Sequence, residues 1–369
     1  MSNGPTVLIE QANSRYTMYA VVEQDERTAY FYLYPAELQS KKYRMRACWL
    51  RNLQPGPAQR DSVAMANGDA PMLEAQYCNH PEGKEPLQAA LISIVWMPEE
   101  DGAAVLYDGE ILGVIPGWSL YAEDPAAYAA DCIGADGNAI VFPLGAPGKN
   151  EQHARVAEAI RFRQTWEDTE TPQWPVIQQQ FISAYEKQFG EIKQYFAIDN
   201  NQWPPMALGK FEKDNIVYFL TMGVSIRSMP WVSYLYNETA PAYRRMELAL
   251  AVSKDDYTEE EIMKMAEGIS AIADIPWRHI SWLGEGHTVG SSKLPAPFES
   301  LVLSAALYTG ESIDMPEMYG DKVNLFWVSP VTLSEREYAH QKANGGYELL
   351  EKMIQEDITH IVKKRDAIV

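Results

Sequence analysis

The chain has 369 residues, 46% of them hydrophobic, with 10 Trp and 21 Tyr; this is enough apolar material for two packed interiors and excludes a disordered chain. Its 31 Lys and Arg against 51 Asp and Glu leave a net charge of −20, spread over both halves, which repels phosphate backbones and anionic lipid and attracts a basic protein. No apolar run approaches membrane-spanning length, and residues 1–5 lack the basic and hydrophobic parts of a signal peptide, so a cytoplasmic protein with no membrane or nucleic-acid partner is expected.

The first part reads as β structure. Strands are predicted over residues 16–23, 27–34, 43–53, 91–97, 103–107 and 110–115, where aromatic and apolar residues run between turn signals at 54–57, 67–69 and 100–102. The Asp108-Gly109 pair has the signature of a tight hairpin. Cys48, Cys78 and Cys132, an odd set in this half, fit reduced thiols rather than a disulfide framework.

Glycine and proline punctuate residues 145–148, and Val156, Ile160 and Arg163 at helical spacing predict a helix over 151–166 that serves as a connector. Thr171 and Pro172 then resemble an N-cap with proline in the first turn, opening a helix with Ile177, Phe181, Ala184, Tyr185 and Ile192 on one face. Strands are predicted over 216–223 and 245–253. Thr258 and Glu261 have capping-box spacing ahead of a helix carrying Ile262, Met265, Ile269 and Ile272. A short strand over 279–283 is possible by pattern, and strands return at 302–306 and 323–328. Ser334 and Glu337 have the spacing of a second capping box, Asn344, Gly345 and Gly346 read as the stop of that helix, and Tyr347, Leu350 and Ile354 mark the next. The expected fold is therefore α+β in two domains. An N-terminal, mainly antiparallel β domain occupies 1–148, a helical connector 149–171, and a C-terminal α+β domain 172–369.

The chain is poor in chemistry-bearing motifs. Residues 284–290 (GEGHTVG) are glycine-rich, but Pro295 and Pro297 follow where a phosphate loop needs a helix, and the spacing matches neither nucleotide fingerprint. Glu285 and His287 stand two apart, which in an extended segment puts both on one face. Cys78 and His80 form a C-x-H pair with no second pair at zinc-ligand spacing. No nucleophile elbow or spaced triad is present, so no catalytic residue, metal or cofactor is assigned. Trp231 and Tyr234, in a proline-punctuated loop, are the aromatic residues placed to anchor a partner, and Glu285 and His287 are the polar candidates beside them.

Ordered blocks along the second half resemble the suppressor-of-fused domain family. They are YFLTMGV at 218–224, RMELAL at 245–250, GHTV at 286–289 with Pro295 and Phe298, VNLFWVSPVT at 323–332 with Glu335, residues 346–350, and THIVKKR at 359–365. In front of them, YDGEILGVIPGW at 107–118 is the most distinctive stretch of a companion domain of unclear role. The resemblance implies an α+β domain and a binding role without catalysis. Animal members sequester a transcription factor through a clamp that uses a second domain missing here. Bacterial members look like immunity proteins that neutralise toxins. The expected function is thus that of a bacterial immunity-type protein whose partner carries a basic surface, a toxin domain being the partner type the resemblance implies. Two alternatives stand beside it: a hydrolase with a site around Glu285 and His287, and a cytoplasmic regulatory adaptor.

Overall fold

In the computed structural model, which describes residues 4–60, 62–117, 127–136 and 139–369, the aromatic run predicted as a strand is the third of four antiparallel strands. These are β1 (Thr6–Ala12), β2 (Met18–Gln24), β3 (Thr28–Pro35) and β4 (Arg46–Asn52), paired in chain order. Tyr30 and Tyr32, two apart and so on one face, stack with ring centroids 5.6 Å apart. A second sheet contains β5 (Ile92–Trp96), β6 (Ala103–Tyr107), β7 (Glu110–Ile115), β8 (Tyr128–Ala129) and β9 (Phe142–Pro143). Asp108 and Gly109 both take positive φ, 50° and 82°, as the mirror-image hairpin turn requires. Gly113 in β7 lies so close to β4 that an added Cβ would sit 2.4 Å from Leu50 Cδ2. Trp118 lies outside the described residues.

The chain divides into two compact units, Met1–Thr169 and Glu170–Val369. Helix α1 (Gln152–Glu167), expected as a connector, belongs to the first. Val156 and Ala159 are buried with Val95, Leu106, Val114 and Leu144, and the Arg163 guanidinium donates to the Ile94 carbonyl at 3.0 Å.

The second unit is built on one eight-stranded sheet. Its order is β10 (Gln194–Ala197), β11 (Ala207–Lys213), β12 (Ile216–Met222), β13 (Arg245–Ser253), β16 (Val323–Thr332), β15 (Phe298–Ser304) and β14 (Thr288–Gly290), with β17 (Ile361–Val362) also alongside β13. The pairs are antiparallel except β13 with β16 and β13 with β17. Every residue of β13 is buried, as befits the middle of the sheet.

Helices cover the sheet. On α2 (Gln173–Phe189), Phe181, Tyr185 and Phe189 join Phe211, Tyr218 and Trp327 in a chain of ring contacts. Helix α4 (Glu259–Ile272) opens at the predicted capping box, Thr258 with Glu261, and buries Ile262, Met265, Ile269 and Ile272 against Leu248, Leu250 and Val252. Each such side chain contributes about 1.5–3 kcal/mol of transfer free energy. Two helices close the chain, α5 (Leu333–His340) and α6 (Gly345–Gln355); Leu349, Leu350 and Met353 pack on Val302, Leu307 and Val331.

Four expectations are corrected. The second capping box is Thr332 with Glu335, not Ser334 with Glu337, because Thr332 ends β16 in extended geometry and its hydroxyl meets the Glu335 amide. Gly345 and Gly346 open α6 instead of stopping α5. A Cβ on Gly345 would lie 2.3 Å from the Ala339 carbonyl oxygen and one on Gly346 2.2 Å from that of Gly286, so only glycine allows these approaches. Residues 279–283 are irregular, following a short helix, Ile275–Arg278. The strand expected at 302–306 begins earlier and is β15. Among the described residues no helix is long and apolar enough to cross a membrane.

Candidate protein-binding face

Between β12 and β13 the chain runs through residues 223–230 without a strand or α-helix, yet all eight are buried. Buried polar groups on β13 and β12 hold this segment. The Glu247 carboxylate, wholly buried, accepts from the Gly223 and Ser225 amides, each at 3.0 Å, and from the Ser225 and Thr221 hydroxyls at 2.6 and 2.7 Å. Burial pushes its carboxyl above the ordinary range, and these donors oppose that shift. Arg245 donates from Nη1 to the carbonyls of Ser225 and Ile226 at 2.9 and 2.8 Å, and from Nε to Asp321 at 2.6 Å. Asp321 also receives both Nε and Nη2 of Arg244. Further along, Trp277 Nε1 donates to the Ser228 carbonyl at 2.9 Å, and the Arg227 guanidinium lies 4.3 Å from the Trp277 ring.

That anchored segment delivers Trp231, in left-handed geometry with φ 68°, to the start of a short helix, α3 (Val232–Tyr236). Trp231 is half-buried: its Nε1 donates to the Ile280 carbonyl at 2.8 Å, and its ring meets Tyr234 edge-on at 6.1 Å. Val232 is buried, which fixes the helix and turns Tyr234 and Leu235 outward, 45% and 46% exposed. Tyr236 stacks on Tyr243 at 4.5 Å and meets Trp282 edge-on at 5.8 Å; Trp282 in turn contacts the His287 ring at 4.4 Å. Tyr243 and Tyr347 are 47% and 54% exposed. Burial raises the Tyr236 hydroxyl, and the Tyr347 and Tyr243 hydroxyls raise it further. The Gly286 turn brings these segments together: its added Cβ would lie 3.2 Å from the Tyr347 amide. Four separate stretches thus form one aromatic face. Exposed acids adjoin it: Glu238 follows α3, and Glu351 lies one helical turn beyond Tyr347.

The sequence-predicted residues fall here in different roles. Trp231 is half-buried with its indole N–H on the Ile280 carbonyl, whereas Tyr234 is open to solvent. Glu285 and His287 are not on an extended segment, because Gly286 at φ 78° makes a turn between them. The Glu285 carboxylate accepts from Ser304 Oγ at 2.5 Å and from the Ala305 amide at 2.7 Å, closing the turn after β15. Burial lowers the His287 imidazole, with a backbone bond at Trp282 opposing, so the ring joins the face as a neutral aromatic. Sequence reasoning missed Leu235, Tyr236, Tyr243, Trp282 and Tyr347 as members of this face, and it gave no role to the buried Glu247. Cys78 and His80 have separate partners: the thiol lies on Asn52 Nδ2 and the Leu73 and Glu74 carbonyls, and the imidazole Nδ1 bonds Asp131. Among the described residues, no three His, Cys, Asp or Glu side chains are grouped to hold a metal ion.

Residues 202–365, which include every residue of this face, match the suppressor of fused protein (SUFU) family. No curated protein matches the chain.

Proposed function

We propose that this chain, whose residues 202–365 form a suppressor-of-fused domain, works without catalysis by binding another protein through the aromatic face of the second unit. The observation that carries this reading is the exposure of Tyr234, Leu235, Tyr243 and Tyr347 together around a rigid base of Tyr236 and Trp282. Tyrosines that bury large area at small conformational cost are typical binding anchors, and a contiguous exposed apolar patch on a polar protein marks an interface. The partner presents a basic surface, which the net charge of −20 and the flanking Glu238 and Glu351 favour. In the finer form of the proposal, the protein is a cytoplasmic immunity-type protein and the partner a toxin domain, such as a nuclease whose cleft attracts phosphate.

The test is a double substitution, Tyr234→Ala with Tyr347→Ala, followed by binding kinetics with a co-purifying partner. The expected loss is about 2 kcal/mol or more, a roughly 30-fold weaker Kd, expressed mainly in faster dissociation, with the unfolding midpoint unchanged. Raising salt is expected to slow association and leave dissociation nearly constant, because surface attraction is screened within about 8–10 Å. Unaltered affinity in the double variant overturns the assignment of the face, and salt-independent association overturns the basic partner.

A further inference from the structure

The first unit holds a pair of cysteines that the proposed binding face does not use, in segments paired as neighbouring strands. Cys78 and Cys132 are opposite one another in an antiparallel bridge. The bonds that make it flank them: the Asn79 amide donates to the Asp131 carbonyl and the Ile133 amide to the Tyr77 carbonyl, each at 2.8 Å. Neither cysteine bonds the other's backbone, so this is the non-hydrogen-bonded type of pair, in which Cα atoms lie about 4.5 Å apart and side chains share a face. That spacing lies inside the window of about 4.4–6.8 Å that a disulfide needs. A side-chain bond from His80 to Asp131, each within two residues of a cysteine, ties the same two segments again.

We propose that Cys78 and Cys132 are a disulfide-forming site, oxidised by a small-molecule disulfide. In the reduced chain both thiols are buried, Cys78 against Leu73 and Glu74 and Cys132 against the Gly134 carbonyl. Each must turn from these contacts toward the other, while the backbone already fixes their separation. They lie just under the surface, since Asn79 and Ile133, the residues that follow them, are exposed. The chemistry is thiol–disulfide exchange. One cysteine, as thiolate, attacks a sulfur of the small disulfide, whose S–S bond breaks and releases one small thiol carrying a proton. The second cysteine gives its proton to solvent and attacks the protein-side sulfur of the mixed disulfide. The Cys78–Cys132 bond forms and the second small thiol leaves. The protein loses two electrons and two protons, and one small disulfide becomes two thiols. The new bond ties the segment after β4 to the segment between β8 and β9. Burial raises the thiols, Cys78 to about 12 and Cys132 to about 11, so exchange accelerates as pH rises from 7 to 9.

Cys48 is the internal control. It is also buried, but it lies on β4 and its thiol is directed to the carbonyls of Trp49 and Tyr128. The experiment incubates the native full-length chain with oxidised glutathione at pH 8, then unfolds it and alkylates the remaining thiols for mass and peptide analysis. The three free cysteines are expected to fall to one, which is Cys48, with a single peptide linking 78 to 132. A Cys48→Ser chain is expected to form the same link and retain no free thiol. Three alkylated cysteines, a stable glutathione adduct on either residue, or a link through Cys48 overturns the proposal.

Discussion

Replacing Asp321 with alanine is expected to lower the unfolding free energy of the protein by about 3–5 kcal/mol, the cost of removing one partner from a buried ion pair. Asp321 is 2% exposed, and its two oxygens receive three guanidinium N–H groups, from Arg244 at 2.7 and 2.8 Å and from Arg245 at 2.6 Å. Arg245, also 2% exposed, would keep its charge beside Arg244, with the Ser225 and Ile226 carbonyls and the Tyr319 ring as its remaining favourable partners among the described residues. The loss therefore spreads to the 223–230 segment that supports Trp231, so the variant should weaken partner binding as well. Urea unfolding measures the first effect. Glu351→Ala, at an exposed position, is the control and is expected to stay within about 0.5 kcal/mol of the parent. A loss below about 1 kcal/mol in Asp321→Ala would contradict the role given to this ion pair.

The second large effect is acid sensitivity through His360. Its ring meets the stacked pair Tyr308 and Trp327 edge-on, at 4.8 and 4.5 Å, and burial drops its pKa to about 4 from an unfolded value of 6.5. The sign follows from linkage. The unfolded chain binds the proton more readily, so the stabilisation is fully present above about pH 6.5, is lost as pH falls from there through 4, and levels off below. The shift corresponds to up to about 3 kcal/mol at 1.36 kcal/mol per unit. His287, also lowered by burial, adds a contribution of the same sign. Stability curves between pH 7 and 4 are expected to flatten in His360→Phe, and an unchanged slope in that variant would contradict this account.

The parts of the fold that were legible in the sequence are those in which a local pattern and the tertiary environment agree. The Thr258 and Glu261 box, the Asp108-Gly109 turn and the existence of strand β13 each carry their signal in a few neighbouring residues. Strand β11 escaped because its burial is not alternating: Gly209 is buried beside Phe211, and Lys210 is buried too, its ammonium 2.6 Å from Glu259 on α4. Strand β10, with only four residues, and β14, with three, offer too little pattern to read. The glycines at 345 and 346 look like a helix stop because their real reason, close approach by Ala339 and Gly286, is a matter of distant backbone.

The proposed binding face was legible only at one end. Trp231 and Tyr234 stand in a local aromatic cluster that sequence can show, but Tyr243, Trp282 and Tyr347 are assembled by packing. Glu285 and His287 were paired by spacing, and the turn at Gly286 gives them different partners. Suppressor-of-fused blocks at 218–224 and 245–250 have a physical counterpart: they carry Thr221, Gly223, Arg245 and Glu247, the groups that hold the segment leading to the face.

The most direct measurement is backbone hydrogen exchange of the full-length protein, alone and saturated with a co-purifying partner. Binding through the aromatic face predicts slowed exchange at residues 232–236, 243, 282–287 and 347, in both the short helix and the Gly286 turn at once. Slowed exchange confined to other segments, with these amides unchanged, would contradict it.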